Sequence, residues 1–263
     1  MPNWQRQRKC SNHFCKKMPN FLTIDIGNTL QKAAVFSEEG KMLFFTEKEH
    51  LTENDLQALV EKYAIENSIL SSVGETADDL RAFLQATTNL LVFNHHTPLP
   101  IRLRYETPET LGLDRIANAV AANALFPNEN VLSIQAGTCL VLDFATKDGD
   151  YLGGSIAPGL EMRFSALHHY TKRLPLVGKE GERPLVGAST ETSIRSGVLN
   201  GLCHEIDGTV GRYREQYGDL RIVLTGGNKN DLENSIKSTI FAAPNLVLYG
   251  LYKILIFNVE AHL

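Results

Sequence analysis

Three glycine turns hold most of the residues in this 263-residue sequence whose types and spacing suit chemistry. The first, Asp25-Ile26-Gly27-Asn28-Thr29, ends an apolar run and opens a hairpin. A glycine there lets backbone approach phosphate oxygens, and the N–H groups of such a turn form an anion cradle. A carboxylate at a strand end, as Asp25 would be, can hold a hydrated Mg²⁺ against a nucleotide, and Lys32 offers a positive charge to a phosphate. An ordinary hairpin with an Asp near its mouth fits the same residues. The second turn is Gln135-Ala136-Gly137-Thr138 and the third is Thr225-Gly226-Gly227, whose glycines suit close approach of a sugar and base. All three fall at the C-terminal ends of predicted strands, which makes the set far more specific than any member. The sequence has no GxxxxGK[ST] loop and no kinase glycine loop with HRD and DFG companions, which argues against those routes to ATP.

The elements that must position these turns alternate in type. Phe21–Ile26, Leu30–Phe36 and Met42–Thr46 read as hairpin-linked strands. A helix follows, with Thr52 and Asp55 as a capping box and Leu56, Leu59, Val60 and Tyr63 at helical spacing. A strand (Ile69–Val73), a helix (Thr76–Thr87) and a strand (Leu90–Phe93) complete the first half. A helix over Leu113–Leu125 ends at Pro127. The second half repeats the opening: Val131–Ala136, Cys139–Ala145 and Tyr151–Ile156 as strands, helices at Glu161–Lys172 and Glu191–Tyr217, a strand at Leu220–Leu224 and a helix from Leu246 towards Asn258. Two halves that each begin strand, glycine turn, strand predict a duplicated α/β fold with a cleft between lobes at 18–128 and 129–263, preceded by a disordered extension over 1–17.

The ordered motifs resemble those of type III pantothenate kinases, in the superfamily of sugar kinases, Hsp70 and actin. The resemblance rests on Asp25–Thr29, on Tyr105-Glu106-Thr107-Pro108-Glu109-Thr110-Leu111-Gly112-Leu113-Asp114-Arg115, and on Gly137-Thr138. It continues through Gly153–Gly159, Leu174–Val177, Gly187–Thr190, Thr225–Gly227 and Leu246–Leu251, so it spans about residues 21–258. It implies two actin-like (RNase H-like) lobes with an ATP cleft between them. The implied reaction is phosphorylation of pantothenate to 4′-phosphopantothenate, the first step of coenzyme A biosynthesis, in a cytoplasmic homodimer that uses ATP with Mg²⁺. By the same resemblance Asp25, Ile26, Gly27, Asn28, Thr29, Leu30, Gln31, Lys32 and Thr138 contact the ATP phosphates. Tyr105, Gly112, Leu113, Asp114 and Arg115 line the pantothenate site, with Asp114 as general base. Thr190 reaches pantothenate bound mainly by the other protomer. The chemistry agrees, since phosphoryl transfer to an alcohol needs a carboxylate for the proton and cations for the phosphates. Arg115 is expected to pair with the substrate carboxylate; a helix-capping Asp and an Arg in a surface ion pair would read the same way.

Position 135 departs from the family, which usually places there an Asp that holds a monovalent cation, K⁺ or NH₄⁺. Gln135 offers a carbonyl and no charge. Three readings follow: an enzyme that works without the cation, another carboxylate such as Asp143 supplying the charge, or a catalytically impaired, nucleotide-binding regulatory relative.

Composition narrows the partners. The net charge is −4, and residues 1–20 carry Arg6, Arg8, Lys9, Lys16 and Lys17 without an acid, leaving an acidic body unsuited to nucleic acid. Four cysteines in a chain this long make no disulfide framework. Cys10, His13 and Cys15 match no standard zinc spacing, and the pairs His95-His96 and His168-His169 read as polar surface. No run approaches the roughly 18 apolar residues of a membrane span, and no apolar signal segment precedes the first strand.

Overall fold

The computed structural model describes residues 19–27, 30–72, 78–233 and 235–261. The expected extension over 1–17, with Cys10, His13 and Cys15, lies outside the described residues, as do Asn28 and Thr29 of the first turn.

The first half folds as β1 (Asn20–Ile26), β2 (Gln31–Phe36), β3 (Met42–Lys48), α1 (Glu53–Tyr63), β4 (Ile65–Ser72), α2 (Asp78–Thr87) and β5 (Asn89–Val92). Its sheet has the order β3-β2-β1-β4-β5, with the first three strands antiparallel and β4 and β5 parallel to β1. The alternation of β1 explains its place at the centre. Leu22, Ile24 and Ile26 face α1 and α2, where Leu56 and Leu84 are fully buried. Burying a leucine so completely stabilises by about 1.5–3 kcal/mol. Phe21, Thr23 and Asp25 face the other way. Thr52 caps α1 as expected: its hydroxyl accepts from the Asp55 N–H at 3.2 Å, and the Asp55 carboxylate accepts from the Thr52 N–H at 3.0 Å.

Then come β6 (Arg102–Leu103), α3 (Leu113–Leu125), β7 (Val131–Ala136), β8 (Cys139–Ala145), β9 (Asp150–Pro158), α4 (Leu160–His169), α5 (Thr190–Arg195), α6 (Gly201–Tyr217), β10 (Arg221–Thr225), α7 (Lys229–Glu233), β11 (Phe241–Ala242) and α8 (Leu246–Glu260). The second sheet runs β11-β10-β7-β8-β9-β6. Its strands β9-β8-β7-β10-β11 repeat the order and directions of the first sheet. Leu132, Ile134 and Ala136 of β7 pack beneath α4, α5 and α6, while Val131, Ser133 and Gln135 face α3.

A shared middle layer of α3 and α8 joins the halves. Its residues pack with Phe21, Phe36 and Ile69 of the first sheet, and with Val131 and Val223 of the second. The two helices approach closely at Gly250, where a Cβ would overlap the Ala117 carbonyl. The expected boundary at 128 falls in the α3–β7 loop, yet β6 joins the second sheet and α8 lies on the first.

Some bounds differ from expectation. The helical stretch predicted from Glu191 is α5 and α6 joined by a π-turn at Ser196–Asn200. The helix predicted to Lys172 stops at His169, with the Tyr170 N–H closing onto the Ala166 carbonyl. β4 begins at Ile65, inside a polar stretch without strand alternation.

Candidate active site

Strand parity brings the site together. On β1 the residues facing the middle layer are Phe21, Thr23 and Asp25; on β7 they are Val131, Ser133 and Gln135. Each strand thus turns an apolar residue, a buried hydroxyl and a polar end residue towards α3. Helix α3 starts at Leu113 with Gly112 as its N-cap, which sets Asp114 in the first turn among the exposed N–H groups. Burial raises the Asp25 carboxyl to about 6, Asp114 lies near enough to push it the same way, and Lys32 and a Ser71 hydrogen bond oppose both. Two carboxylates from two elements therefore lie close enough for their charges to interact, a repulsion that a cation or a proton relieves.

Gln135 joins this cluster as a hydrogen-bonding residue. Its Nε2 donates to Asp114 Oδ2 at 3.4 Å, and its Oε1 accepts from Asn118 Nδ2 at 2.9 Å. Asn118 lies one helical turn after Asp114 on α3, so both side chains project from the same helix face. That spacing was a usable sequence signal, and the sequence reading missed it.

Arg115 and Asp143 turn out to be partners. Arg115 Nη2 donates to Asp143 Oδ1 at 2.6 Å and Nε donates to the same oxygen at 3.1 Å, with both side chains almost fully buried. The Tyr151 hydroxyl also donates to Asp143 Oδ1, at 2.7 Å, and the Tyr105 ring covers the guanidinium at 5.7 Å. Burial works against the charge on Arg115, and the bond to Asp143 more than compensates by holding the guanidinium above its usual range. Burial pushes the Asp143 carboxyl up, while Arg115 and Tyr151 pull it back. Arg115, expected to reach the substrate carboxylate, bonds Asp143 through Nε and Nη2 and braces the start of α3. Asp143, in turn, is spent on Arg115 and Tyr151.

A cleft of about 330 Å³ opens beside the carboxylates, lined by Lys32 and Glu47 from the first sheet, Asn118, Gln135 and Gly226, and Val247 of α8. Gly226 has φ +97 and packs on Ala136, where a Cβ would overlap the backbone carbonyl, so only glycine makes this turn. Lys32 pairs with Glu47 at 3.2 Å in a partly exposed bridge, a weak tie that a phosphate can replace. The remaining predicted contacts divide. The Gly27 N–H closes the hairpin onto the Leu30 carbonyl at 3.2 Å. The Ile26 side chain is core, and Gln31 Oε1 accepts from the Leu51 N–H at 2.7 Å, which leaves their backbone for any contact with a phosphate. Thr138 and Thr190 are exposed at their turns, Thr190 opening α5 behind the Ser189 cap. Tyr105, Gly112 and Leu113 are partly covered around the start of α3. Sequence reasoning missed Ser71, Phe45, Glu47 and Asn245, which carry no motif.

The histidine pairs are occupied elsewhere: His95 Nε2 meets the Leu111 carbonyl and His168 Nδ1 the Leu174 carbonyl, each at 2.8 Å. Among the described residues no three His, Cys, Asp or Glu side chains form a metal-ready cluster.

Duplicated sheets around a shared helical layer, with glycine turns at the inner strand ends, define an actin-like α/β fold. Solved structures agree. The chain matches a ROK family glucokinase from Streptomyces griseus in complex with glucose and AMPPNP (TM-score 0.51, 12% identity, 90% of this chain and 99% of that one). It also matches the activator of the 2-hydroxyisocaproyl-CoA dehydratase from Clostridium difficile with bound ADPNP (TM-score 0.51, 13% identity, 92% and 97%). At such identity these likenesses establish the fold alone. The type III pantothenate kinase family model matches residues 21–212. Curated relatives named type III pantothenate kinase include that of Christiangramia forsetii, 45% identical over 241 residues (90% of this chain, 98% of the relative), and that of Phocaeicola vulgatus, 42% identical over 238 residues (90% and 98%). The chain belongs to the type III pantothenate kinase family.

Proposed function

We propose that this protein transfers the γ-phosphoryl group of ATP to the hydroxyl of pantothenate, giving 4′-phosphopantothenate and ADP, the first step of coenzyme A biosynthesis. The observation that carries this is Asp25 within charge range of Asp114, next to a cleft edged by Lys32, by Gln135, which bonds Asp114, and by the Gly226 turn. Asp114 accepts the hydroxyl proton as the oxygen attacks the γ-phosphorus and ADP departs. Asp25 suits a hydrated Mg²⁺, which keeps most of its waters and needs few protein ligands; bound with ATP it would neutralise charge on the phosphates. Lys32, released from Glu47, adds a second positive charge. Gly112, Leu113 and Tyr105 shape the acceptor side, with Arg115 holding Asp114's helix in place through Asp143.

The regulatory reading rests on Gln135 alone, and the intact Asp25 and Asp114 weigh against it. A homodimer is supported by the apolar surface of β9, α4 and the loop before α5, where Leu152, Ile156, Met162, Leu176, Leu185 and Val186 are exposed. Such a face beside Thr190 suits a partner that shares the acceptor site. The free thiols of Cys139 and Cys203 suit a reducing cytoplasm, and no helix among the described residues is long and apolar enough to cross a membrane.

The test is coupled ADP release with ATP, Mg²⁺ and pantothenate. Wild-type protein should turn over only when pantothenate is present, and Asp114→Asn should lower kcat by about 10²–10⁴-fold. ADP release indifferent to pantothenate, or to Asp114→Asn, would sink the proposal.

A further inference from the structure

The relay from Asn118 through Gln135 to Asp114 can be oriented in only one way. An ionised carboxylate only accepts, so Asp114 requires the Nε2 end of Gln135. Gln135 Oε1 is then left facing α3 and requires a donor, which is Asn118 Nδ2 at 2.9 Å. Asn118 Oδ1 must point away, and it is the one buried side-chain acceptor without a hydrogen-bond partner among the described residues. Turning one amide over alone would set two donors or two acceptors against each other, and turning both would satisfy that oxygen at the expense of aiming the Gln135 carbonyl at a carboxylate. The orphan acceptor is thus the counterpart of the orientation that Asp114 imposes.

The residues around position 135 do not fit a monovalent cation. Gln135 brings no charge, its one side-chain oxygen already accepts from Asn118, and its nitrogen faces Asp114. The nearby acid on β8, Asp143, is committed to Arg115 and Tyr151. One neutral orphan carbonyl does not replace a carboxylate in a site for a charge.

We infer that Gln135 is a positioning residue: oriented by Asn118, its amide N–H holds Asp114 in place, and this supersedes a requirement for a monovalent cation. The inference deepens the pantothenate kinase reading and rests on it. The contact to Asp114 is long at 3.4 Å, as catalytic hydrogen bonds often are before substrates bind.

Two measurements separate this inference from the reaction itself. Thermal melting and steady-state kinetics are recorded in KCl, NaCl and tetramethylammonium chloride at equal ionic strength. Wild-type melting and turnover should be the same in all three, whereas Gln135→Asp protein should gain a potassium-specific rise in melting temperature. Gln135→Glu keeps the shape but turns an acceptor towards Asp114, and it should lower kcat about tenfold or more with KM for ATP nearly unchanged. Gln135→Leu and Asn118→Leu should each lower kcat in the same way, and the double variant Gln135→Leu, Asn118→Leu should lose no more than the worse of these two single ones. Potassium-specific stabilisation or activation of the wild type, or additive losses in the double variant, overturns the inference. Salt-indifferent wild-type melting with a potassium response in Gln135→Asp, but no pantothenate turnover in any salt, overturns the kinase reading and leaves the relay standing.

Discussion

The first and second sheets place equivalent strand ends on opposite sides of α3 and equip them differently. In register, Asp25 of β1 lies beside Ser71 of β4, and Gln135 of β7 lies beside Thr225 of β10. The first end keeps a carboxylate whose ionisation burial opposes. The second has a neutral amide at the strand end and carries its charge deeper, at Asp143 on β8, matched by Arg115. A duplicated fold thus fixes where polar groups stand, while their chemistry diverges: one end keeps a carboxylate bonded to Ser71, the other is an amide absorbed into a relay of hydrogen bonds.

The largest test of this contrast removes the buried cation of the second lobe. Arg115→Ala should destabilise by about 3–5 kcal/mol, because Asp143 is left charged and dry; denaturant unfolding that moves by less than 1 kcal/mol would mean that water reaches Asp143. In the first lobe the sign reverses. Asp25 has its folded pKa raised from 3.8 to about 6, so its favourable contribution is complete only below the unfolded value and is lost as pH rises through 6. Asp25→Asn should therefore be more stable to unfolding than wild type at pH 8, by up to about 3 kcal/mol, with the gap closing near pH 4, while losing kinase turnover. A lower melting temperature at pH 8 would show that Lys32 and Ser71 outweigh burial. Gly226→Ala forces a side chain into a left-handed turn against Ala136 and should cost about 1–3 kcal/mol and raise KM for ATP; unchanged nucleotide affinity would separate this turn from the cleft. The smallest change, Ser71→Ala, should cost about 1 kcal/mol or less through one lost hydrogen bond, and turnover should fall with a corresponding modest factor.

Much of this was legible in the sequence because the strands are strongly patterned. The capping box at Thr52, the helix from Leu113 to Leu125 and the strands at Val131–Ala136 and Cys139–Ala145 were each predictable from local residues. Asp25 and Asp114 were legible as site residues because motifs framed them. What stayed hidden was pairing. Arg115 next to Asp114 in sequence reads as a substrate ligand, and only the β7–β8 register, with Ser133 opposite Asp143, shows that Asp143 faces α3. The two-residue strands β6 and β11 have too few positions to show alternation. Gln31 sits in the phosphate motif, yet parity carries it to the Leu51 N–H.

The middle layer has a consequence for synthesis. β1 emerges from the ribosome early, but the helix that covers Phe21, Phe36 and Ile69 comes from residues 246–260. Until α8 arrives, the first sheet displays an apolar face to the cell, even though α1 and α2 already shield its other side. Nascent chains stalled between α7 and α8 should therefore engage holdase chaperones and resist protease poorly, and release of the last helix should end both behaviours together.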